Sequence, residues 1–204
     1  GGFMDDYNRR LDRSLAALDV SQRFVFQYNL ELPFGGGKRY LSNAGKAGWF
    51  VSGWELTGIY TAQSGTPLLL TTASNVTNSY GGGSRPNNNG ASAKITGDAH
   101  GKLNKWFETS AFSQPAPFTF GNTGKTLPDV RTHGVNNLEA GIFKNNYFGH
   151  DRRFNLQFRS EFLNMFNRVK FGAPGTSFGT PQFGVVSAQG NDPRFIQFAL
   201  KFLY

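Results

Sequence analysis

Three stretches of this chain alternate apolar and polar residues with a period of two, and that alternation constrains the fold more than anything else in the sequence. In Phe24-Val25-Phe26-Gln27-Tyr28-Asn29-Leu30-Glu31-Leu32 the even positions are all apolar or aromatic and the odd ones mostly polar. Phe154, Leu156, Phe158, Ser160 and Phe162 alternate in the same way with Asn155, Gln157, Arg159 and Glu161. At the end of the chain Ile196, Phe198, Leu200, Phe202 and Tyr204 alternate with Phe195, Gln197, Ala199, Lys201 and Leu203. Successive side chains of a strand point to opposite faces, so each stretch reads as a β-strand with one apolar face. The 21 Phe and 26 Gly agree, since flat side chains suit a pleated surface and glycine suits turns.

Two further strand regions are expected. Residues 49–72 place Phe50, Trp54, Leu56, Tyr60 and Ala62 on one face and Glu55, Thr57, Thr61 and Gln63 on the other, with a bend at Ser64-Gly65-Thr66-Pro67. Residues 138–147 form another, followed by a short polar turn at 149–153. Pro33 and Gly35-Gly36-Gly37 end the first strand, because proline cannot donate to a ladder. Residues 1–21 read as a polar loop with a helical turn around 13–18. Residues 73–134 read as a long loop, rich in Asn, Pro and Gly, including Gly81-Gly82-Gly83 and Asn87-Asn88-Asn89-Gly90. Within it, Trp106-Phe107-Glu108-Thr109-Ser110-Ala111-Phe112 is expected to be a small ordered element. Residues 167–192 make a second long loop.

A soluble sandwich also alternates, so the medium has to be argued separately. No apolar run approaches the ~18 residues of a membrane helix, and mean hydropathy is -0.41. A barrel strand puts only every second residue in lipid, which keeps hydropathy low. The faces opposite the aromatic ones carry Glu55, Gln157, Arg159, Glu161 and Lys201, as a wet lumen requires. Short turns at 33–47 and 149–153 alternate with long loops at 73–134 and 167–192, the asymmetry of barrels with short periplasmic turns and long outer loops. The last strand, 194–204, has the length of a lipid-crossing strand, about 9–11 residues. The fold class expected is therefore all-β: an antiparallel transmembrane β-barrel of the bacterial outer membrane, present as about five C-terminal strands with long outer loops. An odd strand count leaves an edge that lipid cannot satisfy. Residues 1–204 are thus expected to be the C-terminal part of one barrel domain, its remaining strands N-terminal to Gly1.

Charge excludes less than it suggests. The net charge of +8 invites a nucleic-acid reading, but the basic residues are scattered through turns and strand flanks rather than gathered in one stripe, so no nucleic-acid partner is expected. The chain has no Cys, hence no disulfide framework and no thiolate metal site. The opening Gly1-Gly2-Phe3-Met4-Asp5-Asp6 is not a signal peptide.

Several segments resemble TonB-dependent receptors, especially the large Oar-like ones with a carboxypeptidase-regulatory-like N-terminal domain. They are Arg23-Phe24 with Glu31-Leu32-Pro33-Phe34-Gly35, Gly53-Trp54-Glu55-Leu56-Thr57-Gly58-Ile59, and Gln63-Ser64-Gly65-Thr66-Pro67. Trp106-Phe107, Ala111-Phe112, Gly121-Asn122-Thr123-Gly124, the run from Phe158 to Asn167 through Phe171-Gly172, and the closing 196–202 are similar to the same family. The resemblance implies uptake of a bulky nutrient, such as a metal chelate or an oligosaccharide, driven by the TonB complex through a plug domain and TonB box that this chain does not contain. It also implies that the closing strand, Ile196, Phe198, Leu200, Phe202 and Tyr204, is read by the barrel-assembly machinery.

Other motifs carry little. Gly35-Gly36-Gly37-Lys38 lacks the glycine and the Ser or Thr of a phosphate loop, with Leu32 and Arg39 in those places. His100, His133 and His150 have no partners at ligand spacing, and no nucleophile-elbow sequence occurs. Arg159 and Glu161 read as a substrate contact or, more simply, a lateral charge pair on the lumen wall. Trp49, Trp54, Tyr60 and Tyr147 suit sugar stacking or, more simply, an interfacial girdle. No catalytic, cofactor or metal site is expected, and the protein is read as no enzyme. The alternative to transport is a secreted soluble β-sandwich that binds carbohydrate.

Overall fold

The computed structural model describes residues 3–79 and 83–204. Gly1, Gly2, Gly81 and Gly82, which enter the expectations above, lie outside the described residues. The strands are β1 (Arg23–Glu31), β2 (Trp54–Gln63), β3 (Thr71–Thr72), β4 (Asn87–Asn88), β5 (Phe112–Ser113), β6 (Val135–Phe148), β7 (Phe154–Leu163), β8 (Ser177–Phe178) and β9 (Phe195–Leu203). The five long ones form a single sheet in the order β1-β2-β6-β7-β9. Every long strand neighbours the next long strand in the chain, which is an up-and-down meander. β6 pairs antiparallel with β7, and β7 with β9. All five expected strands form.

The chain divides into two compact units. The sheet unit holds residues 23–62, 136–169 and 192–204. Its register decides which residues share a face, because directly opposed residues point the same way. Phe158 lies opposite Leu200, Ser160 opposite Phe198 and Phe162 opposite Ile196, while Gln157 faces Lys201 and Glu161 faces Gln197. The apolar face is exposed: Phe24, Phe26, Leu30, Phe158, Phe198, Leu200 and Phe202 all stand in the open. Contiguous exposed rings on that scale mark an apolar surround rather than water. Phe198 stacks on Phe158 and Phe202 on Phe154, with centroids 6.2 and 5.8 Å apart.

The second strand differs from the sequence reading at both ends. The second strand begins at Trp54 rather than Trp49, because Gly48–Val51 forms one α-helical turn, α1. Gly53 then turns the chain into β2 with φ +75, where any Cβ would strike the Asn145 carbonyl. β2 also stops at Gln63, and Thr71–Thr72 pairs in parallel with β8 instead of continuing it. β7 ends at Leu163 because Asn164 takes a left-handed φ of 50°, its amide group holding the carbonyls of Arg168 and Asp192.

The long loops expected at 73–134 and 167–192 hold only two-residue strands and 3₁₀ turns, and they are compact. Residues 63–135 and 170–191 fold together with the N-terminal 22 residues around their own core. Leu68, Leu70, Trp106, Phe107, Phe112, Leu127, Val130 and Val186 are buried there. Phe107 is fully buried, with Phe112 and Phe183 edge-on at 5.9 and 5.1 Å. Each such side chain contributes about 1.5–3 kcal/mol relative to exposure, and Trp106–Phe112, the small ordered element expected from the sequence, supplies several of them to this second unit. The N-terminal segment is bound into it: Asp12 pairs with Arg85, both side chains almost fully buried. Asp19 pairs with Arg131 at 2.6 Å, and Thr126 Oγ1 donates to the Leu15 carbonyl at 2.8 Å. The helical turn expected at 13–18 sits at Arg9–Asp12 as a 3₁₀ turn, capped by Asn8.

Candidate functional site

On the sheet unit the polar face is the chemically equipped one. Two hollows lie along it, of about 540 and 430 Å³. Asn29, Glu31, Lys38, Glu55, Asn145 and Arg152 line the first, and Gln27, Thr57, Glu139, Phe143 and Glu161 the second. Alternation places these groups, since the odd residues of β1, β2 and β7 and the residues paired with them share this face. A relay of amides fixes their orientation. Asn145 Oδ1 accepts from Asn155 Nδ2 at 3.0 Å and from Gln157 Nε2 at 2.8 Å, and Gln157 Oε1 accepts from Arg159 Nε at 2.6 Å. Lys38 pairs with Glu31 at 2.7 Å. Such a wall offers fixed donors and acceptors to a passing polar solute. Among the described residues no group of three or more His, Asp or Glu is placed to hold a metal ion.

The charge pair expected between Arg159 and Glu161 does not form among the described residues. The Arg159 guanidinium instead lies over the Phe143 ring, 5.1 Å from its centroid, and its Nε–H donates to Gln157 Oε1. Stacking on an aromatic face retains the cation where a second carboxylate contact would need a longer reach.

On the apolar face the structure brings together groups the sequence kept apart. Lys144 opposes Phe158, so it projects from the aromatic side of the sheet. It is only 6% exposed. Trp49 and Trp54 cover its ammonium at 5.8 and 5.9 Å, and it donates to the Asn145 carbonyl and to Asn146 Oδ1. Two of the four girdle aromatics thus roof one cation. Of the others, Tyr147 lies under Arg152 at 4.7 Å and Tyr60 meets Phe24 at 6.2 Å. Ile196, Phe198, Leu200 and Phe202 share this face through their register with β7, and the Tyr204 ring stacks on Phe202.

The second unit places two of the three histidines together. His100 and His133 both pack on Phe171, at 4.9 and 5.0 Å, and the Phe171 N–H donates to His133 Nδ1. Burial lowers the His133 pKa below its ordinary value, and the charges of Lys102 and Lys170 push the same way. His150 is almost wholly exposed beside Asp151. Glu108, beside Lys105 and Ser110, has its pKa lowered by those hydrogen bonds. A hollow of about 470 Å³ on this unit is lined by Arg13, Asn88, Asn122 and Thr126. Asn122 is fixed there by exchanging hydrogen bonds with the Asn87 and Asn88 pair.

Lys144 and the Asp12–Arg85 pair escaped the sequence reading. The pair spans 73 positions and carries no spacing signal. Lys144 was visible only as one member of an irregular strand.

Comparison with known proteins follows the same line. No curated protein matches the chain, and no solved structure does. A family model described as the outer membrane beta barrel domain matches residues 1–197, nearly the whole chain. A single antiparallel sheet with an exposed aromatic face and a polar hollowed one is what a segment of such a wall requires. The chain belongs to the outer membrane beta barrel domain family, and its place is the bacterial outer membrane.

Proposed function

We propose that the chain is the C-terminal barrel segment of a TonB-dependent transporter that takes up a bulky nutrient such as a metal chelate or an oligosaccharide. The observation that carries this reading is the second unit. Residues 63–135 and 170–191 connect β2 to β6 and β7 to β9 along the chain, and they share a hydrophobic core of their own. A preformed surface on a rigid scaffold suits capture of a large solute, and loops commonly carry binding. The TonB dependence rests on the resemblance of 53–59, 63–67 and 158–172 to Oar-like receptors. In this reading the protein is a carrier and no enzyme. A plug domain and further strands lie upstream, the latter pairing with the free edges of β1 and β9, since lipid tolerates no open edge. Ile196, Phe198, Leu200, Phe202 and Tyr204 are then the strand presented to the barrel-assembly machinery, and removing Tyr204 lowers the amount reaching the membrane. Residues 73–134 lie outside the cell and 149–153 in the periplasm. The soluble sandwich does not follow, because its two facing sheets of long strands are replaced here by one sheet.

Cells expressing the full-length protein should accumulate labelled ferric chelates or labelled oligosaccharides only with an intact TonB complex. Uptake that persists unchanged in a strain lacking TonB refutes the mechanism. Cysteines introduced at Asn88 and His150 test orientation separately: an impermeant reagent on intact cells should reach Asn88→Cys alone, and labelling of His150→Cys alone reverses it.

A further inference from the structure

The two short turns of the sheet unit are rich in cations and nearly free of acids. Residues 33–53 hold Lys38, Arg39 and Lys46 and no acid, and residues 149–153 hold Arg152 and Arg153 with the single acid Asp151. In the other unit Arg85, Arg131 and Lys105 are each paired with a carboxylate. In the turns only Lys38 is so paired, with Glu31 of β1. Arg39, Lys46, Arg152 and Arg153 are exposed and take part in no ion pair found among the described residues. Three of them lie against rings: Arg39 over Tyr40 at 5.4 Å, Arg152 over Tyr147 at 4.7 Å and Arg153 over Phe154 at 5.7 Å. Around them Trp49, Phe50, Phe148, Phe202 and Tyr204 are also exposed, all at the turn ends of their strands or beside them.

Exposed rings at strand ends belong at the headgroup level of a bilayer, where one side of the ring is apolar and the other wet. The cations held against rings at these strand ends, Arg39 on Tyr40 and Arg153 on Phe154, project into the same layer. What that layer offers them is phosphate, and a guanidinium binds phosphate oxygens through its planar fork.

We propose that the turns 33–53 and 149–153 form a binding surface for the phosphate headgroups of anionic phospholipids in the periplasmic leaflet. The choice of leaflet rests on the orientation proposed above. The same chemistry occurs in the phosphates of lipid A on the outer leaflet, and the test separates the two. Arg153, on the Phe154 ring of the aromatic face, forms one contact point, and Arg39, on Tyr40, with Lys46 of the same turn forms another; Arg152, on Tyr147, belongs to the polar-face hollow. Each engaged cation should favour an anionic over a zwitterionic lipid by roughly five-fold.

The test uses the full-length protein in intact cells, with a photoreactive benzophenone side chain in place of Phe148. The lipid cross-linked on irradiation is identified by mass spectrometry. Phosphatidylglycerol should appear at least five-fold enriched over its share of the phospholipid, with phosphatidylethanolamine as the remainder. The variant R39Q/K46Q/R153Q should lose that enrichment while still cross-linking phosphatidylethanolamine and keeping the gel mobility of a folded barrel. Should the threefold variant not fold, R153Q should lose part of the enrichment and R153K should keep most of it. Phosphatidylglycerol captured in proportion to its abundance overturns the binding surface and leaves the orientation standing, because phospholipid is then still the neighbour. Lipid A as the main adduct overturns both.

Discussion

The roof over Lys144 can be taken apart one residue at a time. A lysine on the lipid side of a barrel costs roughly 2–4 kcal/mol at the midplane and about 0–1 near the interface. Lys144 lies four residues before the end of β6, about 13 Å along the strand at ~3.3 Å per residue, so an unshielded ammonium there falls between those limits. Two indoles just under 6 Å away return part of this, about 0.5–2 kcal/mol for each desolvated contact. Trp54→Ala should therefore cost the ~3–5 kcal/mol of a lost indole, and should also expose the cation. In a Lys144→Met background the second component disappears, because there is no charge left to shield. The two substitutions should couple, with Trp54→Ala about 1–2 kcal/mol less damaging when Lys144 is already Met. Lys144→Met alone should be neutral or stabilising. The assay is guanidinium unfolding of the full-length protein in phosphatidylcholine bilayers, read by heat-modifiable gel mobility so that loss of a tryptophan does not alter the signal. Additive costs, within ~0.3–0.5 kcal/mol, refute the shielding argument.

Three further outcomes follow from other contacts. Phe158→Arg should destabilise the folded barrel by about 2–4 kcal/mol and Arg159→Phe by much less, and lipid-soluble photolabels should react at Phe158 and Phe198 but spare Arg159 and Gln197. Equal reaction on both faces contradicts the register. Asp12→Ala leaves the Arg85 guanidinium buried beside nothing of opposite charge, a loss of about 3–5 kcal/mol, and trypsin should then cut faster at Arg9, Arg10 and Arg13; unchanged cleavage would show that the pair does not hold the segment down. The His133 pKa is lowered in the folded state, so its contribution is fully present above its ordinary value of about 6.5 and is lost as pH falls through the folded value. Hydrogen exchange in residues 170–172, corrected for intrinsic rates, should rise on acidification because protonated Nδ1 cannot accept from Phe171, and a pH-independent profile counts against that role.

The strands were legible where hydropathy and geometry agree. β1, β7 and β9 alternate cleanly, and their bounds fall within one or two residues of the alternating stretches. β6 shows why the rest was not. Its pairing puts Phe143 and Tyr147 on the polar face and Lys144 and Asn146 on the aromatic one, the reverse of their hydropathy. Register with Phe158 and Leu156 imposes that assignment, and nothing local to residues 135–148 reveals it. Face is a property of the ladder before it is a property of the strand. The second unit was illegible for a different reason. Asn, Gly and Pro mark turns, and turn signals every few residues say nothing about whether the side chains between them meet. Leu68, Phe107, Leu127 and Val186 come from distant parts of the chain and share a core without any periodicity. Only Trp106–Phe112, dense in aromatics, gave warning.

That core changes what an experiment on ligand capture has to perturb. If 73–134 were a flexible loop, shortening it between Asn78 and Lys105 would remove binding groups and leave the barrel intact. Ala93 is part of the shared core, however, and the Glu108 N–H donates to its carbonyl, so the deletion would unfold the unit whose surface it was meant to probe. Ordering a residue costs about 1–2 kcal/mol of backbone entropy. In this unit the core and the Asp12 and Asp19 ion pairs have already met that cost before any solute arrives. Binding to a surface so prepared loses little affinity to ordering, and specificity should sit in the individual side chains it displays. In the transport reading proposed above, Asn88 and Asn122, locked to each other and lining one hollow, would be such groups. Substituting them singly separates recognition from folding, which deleting the segment cannot do.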